Sequence, residues 1–225
     1  MSWFSSRRSD TGKQQGKQQR DERPASEAEP QAHRSLGLAA LLSHFNPNRK
    51  LQVLDLGPAI GSNVDFFSQY GCKLYIEDLF AALTARTPGG SDGEEANPQF
   101  FAEFLPFSAD TRIDVVLAWD TFNYLTRKEL GHLVHHLRPF CASGALVFAL
   151  ISILKQIPAQ PMRFRIRDTE TLIYESRTTA QRPSPRLVPA EMNGLFKGFR
   201  VDRSFLLRHG IQEYLFQREP EVPGR

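Results

Sequence analysis

Three segments of this chain, residues 51–56, 113–119 and 145–151, are largely apolar and too short to be buried helices. Each is separated from the next by stretches with helical spacing. Strands buried on both faces and alternating with helices belong to a mainly parallel sheet covered on each side. That pattern sets the fold class as α/β, doubly wound.

The intervening elements are readable. Leu38, Leu41, Leu42 and Phe45 recur at helical spacing, and Asn46-Pro47-Asn48 stops them. Ser62 is expected to cap a second helix carrying Val64, Phe67 and Tyr70, with Gly71 as its stop. Residues 72–76 make a strand closed by Glu77 and Asp78; 79–86 read as a helix and 88–98 as a polar loop. Thr126 and Glu129 form a capping box, Leu125 and Leu130 a hydrophobic staple. The apolar stripe Leu130, Leu133, Val134 and Leu137 follows, and Pro139 ends it. His132, His135 and His136 fall opposite that stripe, so they are expected to face water and to hold no metal.

The last third changes character. Met162, Phe164 and Ile166 alternate with Arg163, Arg165 and Arg167, a strand whose basic face reads as a solvated edge, the alternative being a face that meets an acidic substrate or partner. Residues 183–189 are proline-rich, 189–197 fit a short helix, and 199–207 with 211–216 form a hairpin around Arg208-His209-Gly210.

Composition limits the rest. Residues 1–34 are Ser, Gln, Lys, Arg, Glu and Pro with only Trp3 and Phe4 as large apolar groups, an arm expected to be disordered. Of 225 residues, that leaves room for one core. A net charge of +3 gives no strong nucleic-acid signal. Cys72 and Cys141 are too few for a disulfide scaffold or a cysteine zinc site. The longest apolar run, 145–154, is about half of what a membrane helix needs. The expectation is a soluble cytoplasmic protein with no membrane segment.

The segment 53–61, VLDLGPAIG, is a strand, a glycine turn and a helix start. Small residues there let a ligand lie against the main chain beside the positive end of a helix. Glu77 follows Gly57 by twenty positions, at the end of the next strand, where an acid can accept from both hydroxyls of a ribose.

With these pieces the sequence resembles the class I S-adenosylmethionine-dependent methyltransferases. VLDLGPAIG matches the first motif, YIED (75–78) the ribose acid, and FLPF (104–107) the adenine-side segment. IDVVLAWDTFNYL (113–125) matches the fourth strand and its substrate-facing loop, LRPFCASGALVF (137–148) the helix-turn-strand, and GFRVDRSFLLRHGIQEYLF (198–216) the terminal hairpin. The resemblance implies a seven-stranded, mainly parallel sheet ending in an antiparallel hairpin. It implies one domain over 35–218, with an insert at about 155–190 and a flexible tail at 219–225.

Carried over residue by residue, Asp55, Gly57, Ala59 and Gly61 surround the methionine part of S-adenosylmethionine. Glu77 takes the ribose hydroxyls with Asp78 beside it, Phe104 and Leu105 lie at the adenine, and Trp119 and Asp120 at the sulfonium side and the acceptor. Asn123 and Tyr124 face the acceptor, and Asp120, Tyr124 and His209 are the candidates for a base. The family commonly has Gly-x-Gly-x-Gly where this chain has Gly57-Pro58-Ala59-Ile60-Gly61. The expected activity is methyl transfer to an acceptor that the motifs do not name. The alternative is a protein that keeps the fold without turnover and serves as an interaction module. A nicotinamide-dependent oxidoreductase is disfavoured by the missing GxGxxG turn and by the closing hairpin.

Overall fold

Burial along β4 (Ile113–Trp119) alternates between two cores, as a sheet covered on both faces requires. Val115, Leu117 and Trp119 pack with Leu38, Leu41, Phe67, Phe164 and Leu172. Val116 and Ala118 point the other way, toward Leu79, Phe101, Leu130, Leu133 and Phe196. Each fully buried Leu or Phe contributes roughly 1.5–3 kcal/mol, so the two layers carry the fold.

The computed structural model describes residues 30–46, 48–86, 95–207 and 210–220. Before β4 come β1 (Gln31–Arg34), α1 (Leu36–Leu42), β2 (Gln52–Asp55), α2 (Gly61–Ser68), β3 (Lys73–Ile76), α3 (Leu79–Ala85) and α4 (Pro98–Phe104). After it come α5 (Arg127–Leu137) and β5 (Cys141–Ser152). The insert then supplies β6 (Gln156–Pro158), β7 (Arg163–Asp168), β8 (Thr171–Glu175) and β9 (Gln181–Pro183). The chain closes with α6 (Pro189–Leu195), β10 (Phe199–Leu206) and β11 (Ile211–Arg218).

The main sheet has the order β10-β11-β5-β4-β2-β3. Its β3, β2, β4 and β5 run parallel, and the hairpin β10–β11 joins antiparallel through β5. Six strands are present where seven are expected. Among the described residues nothing extends the sheet beyond β3, because the chain enters α3 there and next builds α4. The winding steps from β2 to β3, then returns to β4 on the other side of β2. This reversal creates a switch point between the carboxyl ends of β2 and β4, where sheets of this kind bind ligands.

The capping box at α5 forms as read: Thr126 Oγ1 accepts from the Glu129 N–H at 3.2 Å, and a Glu129 oxygen accepts from the Thr126 N–H at 2.8 Å. Other expectations need correction. Residues 31–34, the end of the arm read as disordered, form β1 against the edge of β8, with His33 stacked on Tyr174 at 4.1 Å. The rest of that arm, and the tail from 221, lie outside the described residues. Ser62 is not a cap: α2 starts at Gly61 with Ile60 as its N-cap and no side-chain bond. Pro98, read as the end of a loop, opens α4, where the Asn97 side chain accepts from the Phe100 N–H.

The histidines also differ from expectation. His132 donates to the Ala96 carbonyl at 3.1 Å and His136 to the Leu105 carbonyl at 3.0 Å, both half-buried because α4 packs along that flank of α5. Of the three histidines on α5, His135 alone is exposed.

Candidate functional site

At the switch point a cleft of about 380 Å³, its mouth included, opens between the glycine turn and the insert. Leu56, Gly57 and Pro58 line it from the end of β2, Asp78 and Phe80 from the cap and first turn of α3, and Thr121 from the end of β4. The insert supplies the opposite wall, Gln160 to Arg163 and Arg177.

The floor is a hydrogen-bonded knot. Asp55 Oδ1 accepts from the Gly57 N–H at 2.9 Å and from the Trp119 indole N–H at 2.6 Å. Burial outweighs these bonds and pushes the Asp55 carboxyl up to about 6. Gly57 has to be glycine. A Cβ there would stand 2.8 Å from Trp119 Cδ1 and 3.2 Å from Asp55 Oδ1. Trp119 lies parallel to the Phe164 ring at 5.6 Å and its backbone has φ +49, in the left-handed region. A bulky side chain there costs roughly 1–2 kcal/mol, held by the surrounding packing.

Asp120 is buried at the next position. Its Oδ2 accepts from the Met162 N–H at 2.9 Å, while Oδ1 is buried with no partner among the described residues. Burial pushes its carboxyl up to about 7. The Asn123 side chain donates to the Asp120 and Leu150 carbonyls and accepts from the Ser152 N–H, so it braces the turn after β4 from within. The Tyr124 hydroxyl lies 2.8 Å from the Gln160 carbonyl and 3.1 Å from that of Pro158, and it donates to the insert. Burial raises its pKa far above the ordinary phenol value.

The expected site residues therefore divide. Asp55, Gly57, Trp119 and Asp120 meet at the switch point, and Asp78 lines the cleft while its Oδ1 accepts from the Ala81 N–H at 3.0 Å. Ala59 and Gly61 sit exposed at the outer end of the turn, and nothing lies within 4 Å of the place a Gly61 Cβ would take. Glu77 is half-buried beside the cleft, its N–H donating to the Asp55 carbonyl. Phe104 and Leu105 are not among the lining residues: Phe104 stacks on Phe100, and Leu105 is in the core. His209 lies outside the described residues.

The chain is similar to several solved structures at low identity. An S-adenosylmethionine-dependent methyltransferase from Clostridium acetobutylicum is 9% identical, with 82% of this chain and 91% of that one covered and a TM-score of 0.48. A second, from Mesorhizobium loti, is 15% identical over 80% of this chain and 96% of its own, at 0.46. The 1,6-didemethyltoxoflavin-N1-methyltransferase of Burkholderia thailandensis, solved with that compound and S-adenosylhomocysteine, is 14% identical over 82% and 77%, at 0.46. No family model matches the sequence, and no curated protein does.

The insert was expected to contribute to the acceptor pocket, but sequence reasoning did not find the residue that holds it there. Asn63 in α2 donates from Nδ2 to the Phe164 carbonyl at 2.9 Å, and its Oδ1 accepts from the Ile166 N–H at 2.8 Å. One amide thus acts as a strand partner for the edge of β7 and ties the insert over the cleft. An asparagine in the first turn of a helix has no pattern that announces this. Arg163 was visible in the alternation of β7, first as an edge charge and alternatively as a contact for an acidic substrate or partner. Among the described residues no three His, Cys, Asp or Glu side chains converge as a metal would require, and no helix is long and apolar enough to cross a membrane.

Proposed function

We propose that this protein transfers a methyl group from S-adenosylmethionine to an acceptor. The observation that carries the reading is the cleft at the switch point, where the glycine turn after β2 and the acid after β3 line one opening. The cofactor's fit is supported at the sugar end, where Asp78 lines the opening beside Glu77, and at Gly61, whose face is open. The orphaned Oδ1 of buried Asp120 adds a polar atom awaiting a partner. Trp119 fills the side of Gly57 that a Cβ would occupy, while Pro58, Ala59 and Gly61 lie less buried along the turn.

In this reading Glu77 and Asp78 hold the ribose, and Phe80 replaces Phe104 and Leu105 as the nearest aromatic wall. Asp55 and Gly57 hold the shape of the turn through Trp119 and so act on the methionine end indirectly. The cofactor supplies a methyl group already activated on a sulfonium. The chain's own task is to align the acceptor, exclude water and take up a proton where the acceptor must lose one. Asp120, its carboxyl pushed up to about 7 by burial, is assigned the last task; it lies next to the lining residue Thr121 and not itself in the cleft wall. Tyr124 positions the insert instead. Titration of the full chain with S-adenosylhomocysteine tests the reading; absence of binding at millimolar ligand removes it.

A further inference from the structure

Two guanidinium groups on the wall of the cleft have no task in the reading above. Arg163 opens β7 and Arg177 lies just beyond β8, and both line the opening. Neither donates a hydrogen bond among the described residues. Arg163 comes to 3.9 Å from Glu175, outside hydrogen-bond reach, while Glu175 is nearer to Arg165 at 3.5 Å. The single acid lining the cleft, Asp78, already accepts a backbone N–H at the start of α3. Two cations therefore face an opening whose one carboxylate is partly engaged.

The wall that carries them is fixed. Arg163 stands between Met162, whose N–H is held by Asp120, and Phe164, whose carbonyl is held by Asn63 and whose ring stacks on Trp119. An arginine with both chain neighbours tied down has its main chain held at the mouth, and its exposed side chain is ordered only on binding. Guanidinium groups suit carboxylate and phosphate oxygens because they donate paired, charge-assisted hydrogen bonds.

We propose that Arg163 and Arg177 form an anion subsite on the acceptor side of the cleft, so that the methyl acceptor carries a carboxylate or phosphate group. This rests on the methyl-transfer reading. The same oxygen chemistry is present in the donor's own carboxylate, and the experiment separates the two sources.

The full chain is titrated with inorganic phosphate by calorimetry, with and without saturating S-adenosylhomocysteine. Wild type is compared with R163Q/R177Q and with R163K/R177K. The expected result is millimolar phosphate binding that weakens at least fivefold in the Gln pair and less in the Lys pair, while S-adenosylhomocysteine affinity stays within twofold. Equal phosphate binding by wild type and the Gln pair overturns the subsite. A tenfold loss of S-adenosylhomocysteine affinity in the Gln pair assigns the arginines to the donor and overturns the acceptor subsite. Failure of S-adenosylhomocysteine to bind wild type removes the methyl-transfer reading, while the phosphate titration without it still decides whether the arginines hold an anion.

Discussion

The Trp119 indole N–H donates to Asp55 Oδ1 at 2.6 Å, and the ring lies where a side chain on Gly57 would have to go. The end of β4 is thereby tied to the turn after β2, the two halves of the switch point. Replacing Trp119 by Phe keeps the ring stack and deletes the donor. A buried carboxylate that loses one of two donors costs about 1–3 kcal/mol. Urea unfolding of W119F at pH 7 is expected to show that loss, and NMR titration to place the Asp55 carboxyl above its present value of about 6.

The two glycines of the turn give an opposed pair. Gly57→Ala places a methyl against packed Trp119 and Asp55 atoms, and overpacking of that kind costs about 1–3 kcal/mol. Gly61→Ala meets nothing within 4 Å and begins a helix, so its stability is expected within about 0.5 kcal/mol of wild type. Thermal unfolding of both variants checks this. Equal loss in the two would contradict the packing described at Gly57.

Asn63 is the amide that holds β7. Asn63→Ala strips partners from the Phe164 carbonyl and the Ile166 N–H, two buried backbone groups, at about 2–4 kcal/mol together. Hydrogen exchange is expected to speed up at Ile166 well before it changes at Val116 in the central strand. Uniform acceleration would mean that the insert does not open separately.

Asp120 governs the pH dependence. Its carboxyl is raised from 3.8 to about 7, so the folded chain holds a proton that the unfolded chain releases. Stability from this group is therefore greatest below about pH 4 and falls as pH rises toward 7, with an upper bound of about 4 kcal/mol. Asp55, raised from 3.8 to about 6, slopes the same way over the lower part of that range. Asp120→Asn is expected to flatten the decline between pH 6 and 7 in unfolding measurements. In a methyl-transfer assay the wild-type rate should rise through pH 7, and the rise should vanish in D120N.

Much of this was legible because the signals are local or period-based. The run of Val115 through Trp119 has few outcomes other than a central strand, and Thr126 with Glu129 has few outcomes other than a helix start. The turn at Gly57 and the acids at 77 and 78 follow from the same strand order. What escaped depends on contacts distant in sequence. β1 exists because the edge of β8 accepts it far along the chain, at Gln31↔Tyr174 and its neighbours. Ser62 reads as a cap, yet the helix begins one residue earlier, and the adjacent Asn63 spends its side chain on β7. His132 and His136 lie opposite the apolar stripe, but α4 covers their flank and gives each a backbone carbonyl.

The central proposal is that the cleft at the switch point is a site for S-adenosylmethionine. Calorimetric titration of the full chain with S-adenosylhomocysteine, beside Glu77→Gln and Asp78→Asn variants, tests it most directly. The account predicts one ligand bound per chain and at least a tenfold loss of affinity in the variants. No heat of binding at millimolar S-adenosylhomocysteine, with tight binding of NADH in its place, would contradict it.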